Sequence, residues 1–396
     1  MKRIMVLGAG RGQVDLIKAI RGYGYKAIVA SIDGDYPGFE YADEIVIVDI
    51  TDKYAVSKLV KELQVDAVVT ACLNTGIETL GFVCEENGLF GISAKAGEIC
   101  ADKFKMKKAF EENGVSTAKF RVVFNESDLE KAMDELKLPL VLKAVDLQGS
   151  KGIYISSDKE YLRSSYDKLT NETKKDYCIV EEFIDGREIS AEAFVSNGEI
   201  LYVLPCGDVT IKSESAFVPG GHYVPCDIDD VLKEKVIDEA RKAIRAVGLD
   251  NCDVNFDMIV KDGEVYIIEL SGRLGANCLP ELVSNHFGID VYKLIVDTAL
   301  GISPKEFFEN ATKPYETCYA QMLTANNTGV LKEIINKNEN VKNIIDISFF
   351  VSLGDEVRRF ANSRDCVGQV IVKGKSLEEC RQLVEQIKGN IQFIMV

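Results

Sequence analysis

The sequence predicts a multidomain protein of mixed class, an α/β domain followed by α+β domains. Three observations carry this. The chain has 396 residues, and at about 150 residues per domain that suggests two or three domains. The first hundred residues alternate short apolar runs with helical patterns, as a parallel sheet requires. Beyond residue 140 apolar runs follow one another through turn residues, as in antiparallel strands.

In the first domain, residues 4–7 are a strand, followed by Gly8-Ala9-Gly10-Arg11-Gly12-Gln13 and a helical pattern through Ile17 and Ile20. Strands at 26–31, 45–48 and 67–70 and a helix at 54–63 continue the alternation. The glycine turn opens a helix, where backbone N–H groups attract an anion. Asp33 lies 21 residues after Gly12, like the ribose acid of a dinucleotide site. Gln13, however, stands where G-x-G-x-x-G has its third glycine. Two readings stay open, an NAD-dependent oxidoreductase or a tight turn that needs only small residues.

In the middle, residues 102–113 form a helix carrying Lys103, and 139–144 a strand carrying Lys143 in an apolar run. A lysine there either snorkels or meets an anion. The loop 146–152, with Gly149, Ser150, Lys151 and Gly152, suits a flap over phosphates. A strand at 177–184 ends in Glu181-Glu182-Phe183-Ile184, and 187–195 is a strand with Glu188, Ser190 and Glu192 on one face.

Residues 253–273 are a β-hairpin, and its register sets which side chains meet. A two-residue Asp262-Gly263 turn would pair Asp257 with Ile268 and send Glu269 to the other face. A three-residue loop Lys261-Asp262-Gly263 with a bulge shifts parity by one. Then Asp257, Glu269, Ser271 and Arg273 share one face. Phe256, Met258, Val260, Tyr266, Ile268 and Leu270 share the other. The second register separates polar from apolar cleanly and is the expectation. Two carboxylates on one face repel unless a cation sits between them. Oxygen ligands alone point to Mg²⁺ or Mn²⁺, and Arg273 can clamp a phosphoryl or carboxylate group.

Lys and Arg total 47 against 63 Asp and Glu, a net charge of −16 with a pI near 4.8. That argues against nucleic acid or an anionic membrane as partner. Eleven cysteines without a C-x-x-C pair and only two histidines, His222 and His286, argue against structural zinc. Free thiols, no signal-like N-terminus and no long apolar run predict a cytoplasmic protein.

These residues resemble the ATP-grasp superfamily, specifically its carboxylate–amine ligases. The resemblance covers roughly residues 1–310. It implies an N-terminal Rossmann-like domain (1–100), an ATP-grasp domain (101–310, lid about 115–185) and a C-terminal α+β domain (311–396). It implies ATP as cofactor, with Lys103 and Lys143 on its phosphates, Gly149, Ser150 and Gly152 in the flap, Glu181, Glu182, Phe183 and Ile184 at adenine, and Glu188 at ribose. It implies Mg²⁺ on Asp257 and Glu269. The family usually has Asn as third ligand where this chain has Ser271. Arg273 matches the family arginine that meets an acyl phosphate. The Gly/Pro-rich segment 216–225 reads as a loop lining the acceptor site, with His222 as a candidate there. Strands at 319–323, 347–352 and 369–373 and a helix at 376–388, with the run 364–372, resemble the C-terminal domain of L-amino-acid ligases. That region would cap the ATP site or build a homodimer interface. The implied activity is amide-bond formation between a small carboxylate and an amine through an acylphosphate. The alternatives are the NAD-dependent oxidoreductase and a non-catalytic MgATP-binding protein.

Overall fold

The computed structural model describes residues 1–147, 151–213, 217–309 and 316–396. Gly149 and Ser150 lie outside these residues. The described chain forms two compact units. One contains residues 1–203, 229–274 and 292–305, and the other 204–228, 275–291 and 306–396.

The first unit opens with β1 (Arg3–Leu7), α1 (Arg11–Gly22), β2 (Lys26–Ser31), β3 (Glu44–Ile47), α2 (Lys53–Glu62) and β4 (Ala67–Val69). The strands form a parallel sheet in the order β3-β2-β1-β4. β1 and β2 are buried almost throughout, as strands covered on both faces must be. Next come α3 (Ile77–Asn87), α4 (Ala94–Cys100) and α5 (Lys103–Glu112). Asp102 caps α5 through the N–H groups of Phe104 and Lys105, which fixes where Lys103 leaves the helix.

The next segment is a self-contained layer of β5 (Phe120–Val123), α6 (Glu126–Glu135), β6 (Leu140–Ala144), β7 (Ile153–Ser156), α7 (Lys159–Glu172) and β8 (Cys178–Glu182). Its antiparallel sheet has the order β5-β8-β6-β7. Alternation along β6 and β8 sends Leu140, Leu142, Ala144, Cys178 and Val180 into a core with Leu129, Met133, Leu162 and Leu169. The opposite residues, Lys143 and Glu181, therefore share the other face.

β9 (Arg187–Ser196) precedes β10 (Glu199–Lys212), β11 (Phe217–Val224), α8 (Asp230–Val247), β12 (Cys252–Lys261) and β13 (Glu264–Ser271). β9, β12 and β13 are antiparallel neighbours in the first unit. The hairpin corrects the expected register. Lys261 pairs with Glu264, so the turn is the two-residue Asp262-Gly263 with φ of 53° and 75°, the left-handed pair a type I′ turn needs. The parity shift occurs farther along. Met258 pairs with Ile267 but Asp257 pairs with Glu269, so Ile268 is a bulged residue. Asp257 and Glu269 still stand side by side. Val265, Ile267 and Leu270 are the buried apolar residues of β13, while Tyr266 and Ile268 are half-buried.

The remaining elements are α9 (Leu279–Phe287), α10 (Val291–Ala299), α11 (Lys305–Glu309), β14 (Thr317–Thr324), β15 (Gly329–Asn336), β16 (Ile344–Phe349), β17 (Glu356–Val357), β18 (Cys366–Gly374), α12 (Leu377–Gly389) and β19 (Ile391–Met395). In the second unit the strand order runs β10-β11-β14-β18-β16, with β17-β15-β19 as a separate sheet. Val370, Val372, Cys380, Val384 and Ile387 centre its core. The strand expected at 347–352 lies three residues earlier. Phe217–Val224 is a strand and not the loop expected from its Pro and Gly content. A register shift at Val209/Thr210 accommodates Pro219. Gly221 is required because a Cβ there would lie 2.1 Å from the Ala320 carbonyl oxygen.

Candidate active site

Three strands of the first unit present one polar face. On β9, Glu188, Ser190 and Glu192 pair with Ile259, Asp257 and Asn255 of β12. On β13, Glu269 and Ser271 pair with Asp257 and Asn255. Directly opposed residues share a face, so Glu188, Glu192, Asp257, Glu269 and Ser271 project from the same side. Phe256 and Met258 are buried on the reverse and anchor it.

Lys103 reaches this face from α5. Its Nζ lies 3.3 Å from Glu269 Oε2 and donates to the Leu147 carbonyl at 3.0 Å. Among the described residues no cluster of three or more His, Cys, Asp or Glu is placed to hold a metal. The donors present are two opposed carboxylates and the Ser271 hydroxyl. Ser271 is 2% exposed and its Oγ has no hydrogen-bond partner, an orphan that costs about 1–3 kcal/mol unless something binds it. This all-oxygen set fits Mg²⁺, which keeps waters and phosphate oxygens in its shell.

Lys143 and Glu181 meet on the far face of β6 and β8. Lys143 Nζ donates to Glu181 Oε2 at 2.7 Å. The sequence reading missed a third member, Lys107 of α5, whose Nζ lies 3.2 Å from Glu181 Oε1 and donates to Thr117 Oγ1 at 2.5 Å. Lys107 and Glu181 are each 1% exposed. Desolvation raises Glu181, but the Lys107 and Lys143 charges and bonds outweigh it and hold the carboxyl below the usual carboxylate range. Desolvation brings Lys107 down to about 8, against the pull of Glu181. The signal for Lys107 was its place four residues after Lys103 on one helix face.

The other expected residues separate. Glu182 accepts from the Lys137 N–H at 3.1 Å. Phe183 is exposed and Ile184 half-buried beyond the end of β8. Gly152 holds φ at +63°, and a Cβ there would lie 2.9 Å from Leu147 Cδ1. In the second unit His222 pairs through Nδ1 with Asp208 Oδ1 at 2.9 Å.

Arg273 is held from three directions. Nε donates to Asn74 Oδ1 at 2.5 Å, and Nη1 donates to Asn255 Oδ1 at 3.0 Å and to the Leu274 carbonyl at 3.1 Å. It also lines a cavity with Thr70, Leu80, Phe90, Phe194 and Asp253. Burial, and then the charge of Glu192, push Asp253 well above the carboxylate range. The N-terminal glycines are explained by packing. A Cβ on Gly12 would lie 2.6 Å from Cys72 Cβ, the Gly38 N–H donates to the Ala9 carbonyl at 2.8 Å over the turn, and Gln13 is buried and bonded to the Ala71 carbonyl.

Comparison with known proteins defines the class. The ATP-grasp domain model matches residues 100–277, and L-amino acid ligase C-terminal domain 2 matches residues 321–396. A solved structure of phosphoribosylglycinamide synthetase from Anaerococcus prevotii is 44% identical over 100% of both chains, with a TM-score of 0.87. The chain belongs to the ATP-grasp family. The L-amino acid ligase from Bacillus licheniformis shares its fold at 21% identity, covering 100% of this chain and 99% of that one with a TM-score of 0.83. Alanine–anticapsin ligase from Bacillus subtilis is 28% identical over 289 residues, 67% of this chain and 58% of its own length. The chain thus spans little more than half the length of the curated relatives it matches. None of these relatives supports the nicotinamide reading of the glycine turn.

Proposed function

We propose that the protein is an ATP-dependent carboxylate–amine ligase that activates an amino acid or similar small carboxylate. The observation that carries this is the directly opposed pair Asp257 and Glu269, with Lys103 beside it and Arg273 near the end of the same hairpin. The substrate carboxylate attacks the γ-phosphorus of ATP, the bond to the β-bridging oxygen breaks, and ADP leaves. The amine then attacks the acyl carbon, phosphate leaves, and one proton is released. Asp257, Glu269 and Ser271 would hold Mg²⁺, which would supply positive charge to offset that of the transferring group. Lys103 and Lys143 neutralise the phosphates. The flap containing Gly149, Ser150 and Gly152 excludes water from the acylphosphate. Glu181, Glu182, Phe183 and Ile184 border adenine and Glu188 the ribose. Arg273 steadies the acylphosphate and the oxyanion formed when the amine adds.

Support for an amino-acid substrate comes from the L-amino acid ligase C-terminal model and from the glycinamide in the name of the 44%-identical relative. We assign the domains as 1–100, 101–310 and 311–396, with the last as a cap or homodimer interface, and place the protein in the cytoplasm. No described helix is long and apolar enough to cross a membrane.

The test is ADP and phosphate release with MgATP over all pairs of L-amino acids, including glycine, and over glycine with phosphoribosylamine, followed by mass spectrometry of the product. Glu269→Ala is expected to abolish substrate-driven ADP release with the thermal midpoint retained. Unchanged turnover in Glu269→Ala overturns the assignment.

A further inference from the structure

We propose that Asn255, oriented by Glu192, is a positioning residue that fixes the Arg273 guanidinium; this rests on the reading of Arg273 above. A guanidinium only donates hydrogen bonds and a carboxylate only accepts them. Asn255 stands between one of each. Its Oδ1 accepts from Arg273 Nη1 at 3.0 Å and its Nδ2 donates to Glu192 Oε1 at 2.7 Å. An amide is the side chain that satisfies both ends, and Glu192 dictates which way it faces.

The register makes this link short. Asn255 pairs with Glu192 on β9 and with Ser271 on β13, so it occupies the central strand of the polar face. Glu192 is 0% exposed, and a buried carboxylate is retained where it is paired or hydrogen-bonded. Its neighbour on the same face, Asp253, is pushed well above the carboxylate range by burial and then by the charge of Glu192. The cavity lined by Arg273, Phe194 and Asp253 leaves part of the arginine unpacked. Hydrogen bonds donated to Asn255 and Asn74 therefore fix a group that contacts alone would not.

Two arms test this on the full-length chain. In the first, side-chain NMR of ¹⁵N-labelled protein without substrate follows the guanidinium resonances, assigned to Arg273 by their loss in Arg273→Lys. Hindered Nη rotation is expected in the native protein and in Glu192→Gln, which can still accept from the amide. It is expected to be lost in Asn255→Ala and Glu192→Ala. In the second arm, the substrate pair found active above is assayed. Asn255→Ala is expected to lower kcat by about 10–100-fold, the scale of a misplaced reacting group, while KM for MgATP stays within about twofold. On an Arg273→Ala background the same substitution is expected to add nothing. Unchanged Arg273 resonances in Asn255→Ala, or a full additional kcat loss on the Arg273→Ala background, overturn the proposal. If Arg273→Ala itself leaves kcat intact, the catalytic reading of Arg273 falls, while the NMR arm still decides the positioning.

Discussion

Replacing Glu181 by Gln would leave two ammonium groups, Lys107 and Lys143, facing a neutral amide. In the native protein Glu181 accepts from Lys143 at 2.7 Å and lies 3.2 Å from Lys107, fully buried. Removing one partner of a buried pair costs about 3–5 kcal/mol. For a body of this size each kcal/mol moves the thermal midpoint by about 2–4 °C, so a loss of roughly 6–20 °C is expected at pH 6. The loss should shrink with rising pH, because Lys107 can give up its proton. Burial already brings it from 10.5 down to about 8. A base whose folded value lies below its unfolded value binds more protons unfolded, so stability rises with pH between about 8 and 10.5. Without Glu181 the folded value falls further, and the variant begins to recover at lower pH than the native protein. Scanning calorimetry of both proteins at pH 6 and pH 9 measures this. A midpoint loss under about 2 °C at pH 6, or an equal loss at both pH values, refutes the three-membered cluster.

Ser271→Ala removes the orphaned hydroxyl. It is expected to raise the ligand-free midpoint by about 2–12 °C and to reduce the further rise produced by MgATP; an unchanged MgATP increment excludes Ser271 as a ligand. Phe256→Ala empties a fully buried site beneath Asp257 and should cost about 3–5 kcal/mol in denaturant titration. Gly186→Ala places a Cβ 2.5 Å from the Val260 carbonyl oxygen. Overpacking of that kind should cost about 1–3 kcal/mol, and a neutral result would show that β9 and β12 do not meet as closely as described.

The amino-acid sequence by itself determined the alternation of elements, the polar row Glu188, Ser190 and Glu192, and the family, because period-two patterning and short motifs are local properties. It also placed Asp257 and Glu269 together, though for a reason the structure replaced. The parity shift comes from a bulge at Ile268 and not from the turn, and a bulge depends on which neighbouring strand each residue meets. Phe217–Val224 looked like a loop from its glycines and proline. Strand pairing on both sides, with the Ala320 carbonyl filling the space a Cβ would take, made it a strand. Lys107 is one of several lysines on a helix until burial against Glu181 singles it out. The contact of Arg273 with Asn74 spans 199 residues, and no local pattern encodes a bond of that separation. Only tertiary packing decided which charges lost their water, and so which of them had to find one another.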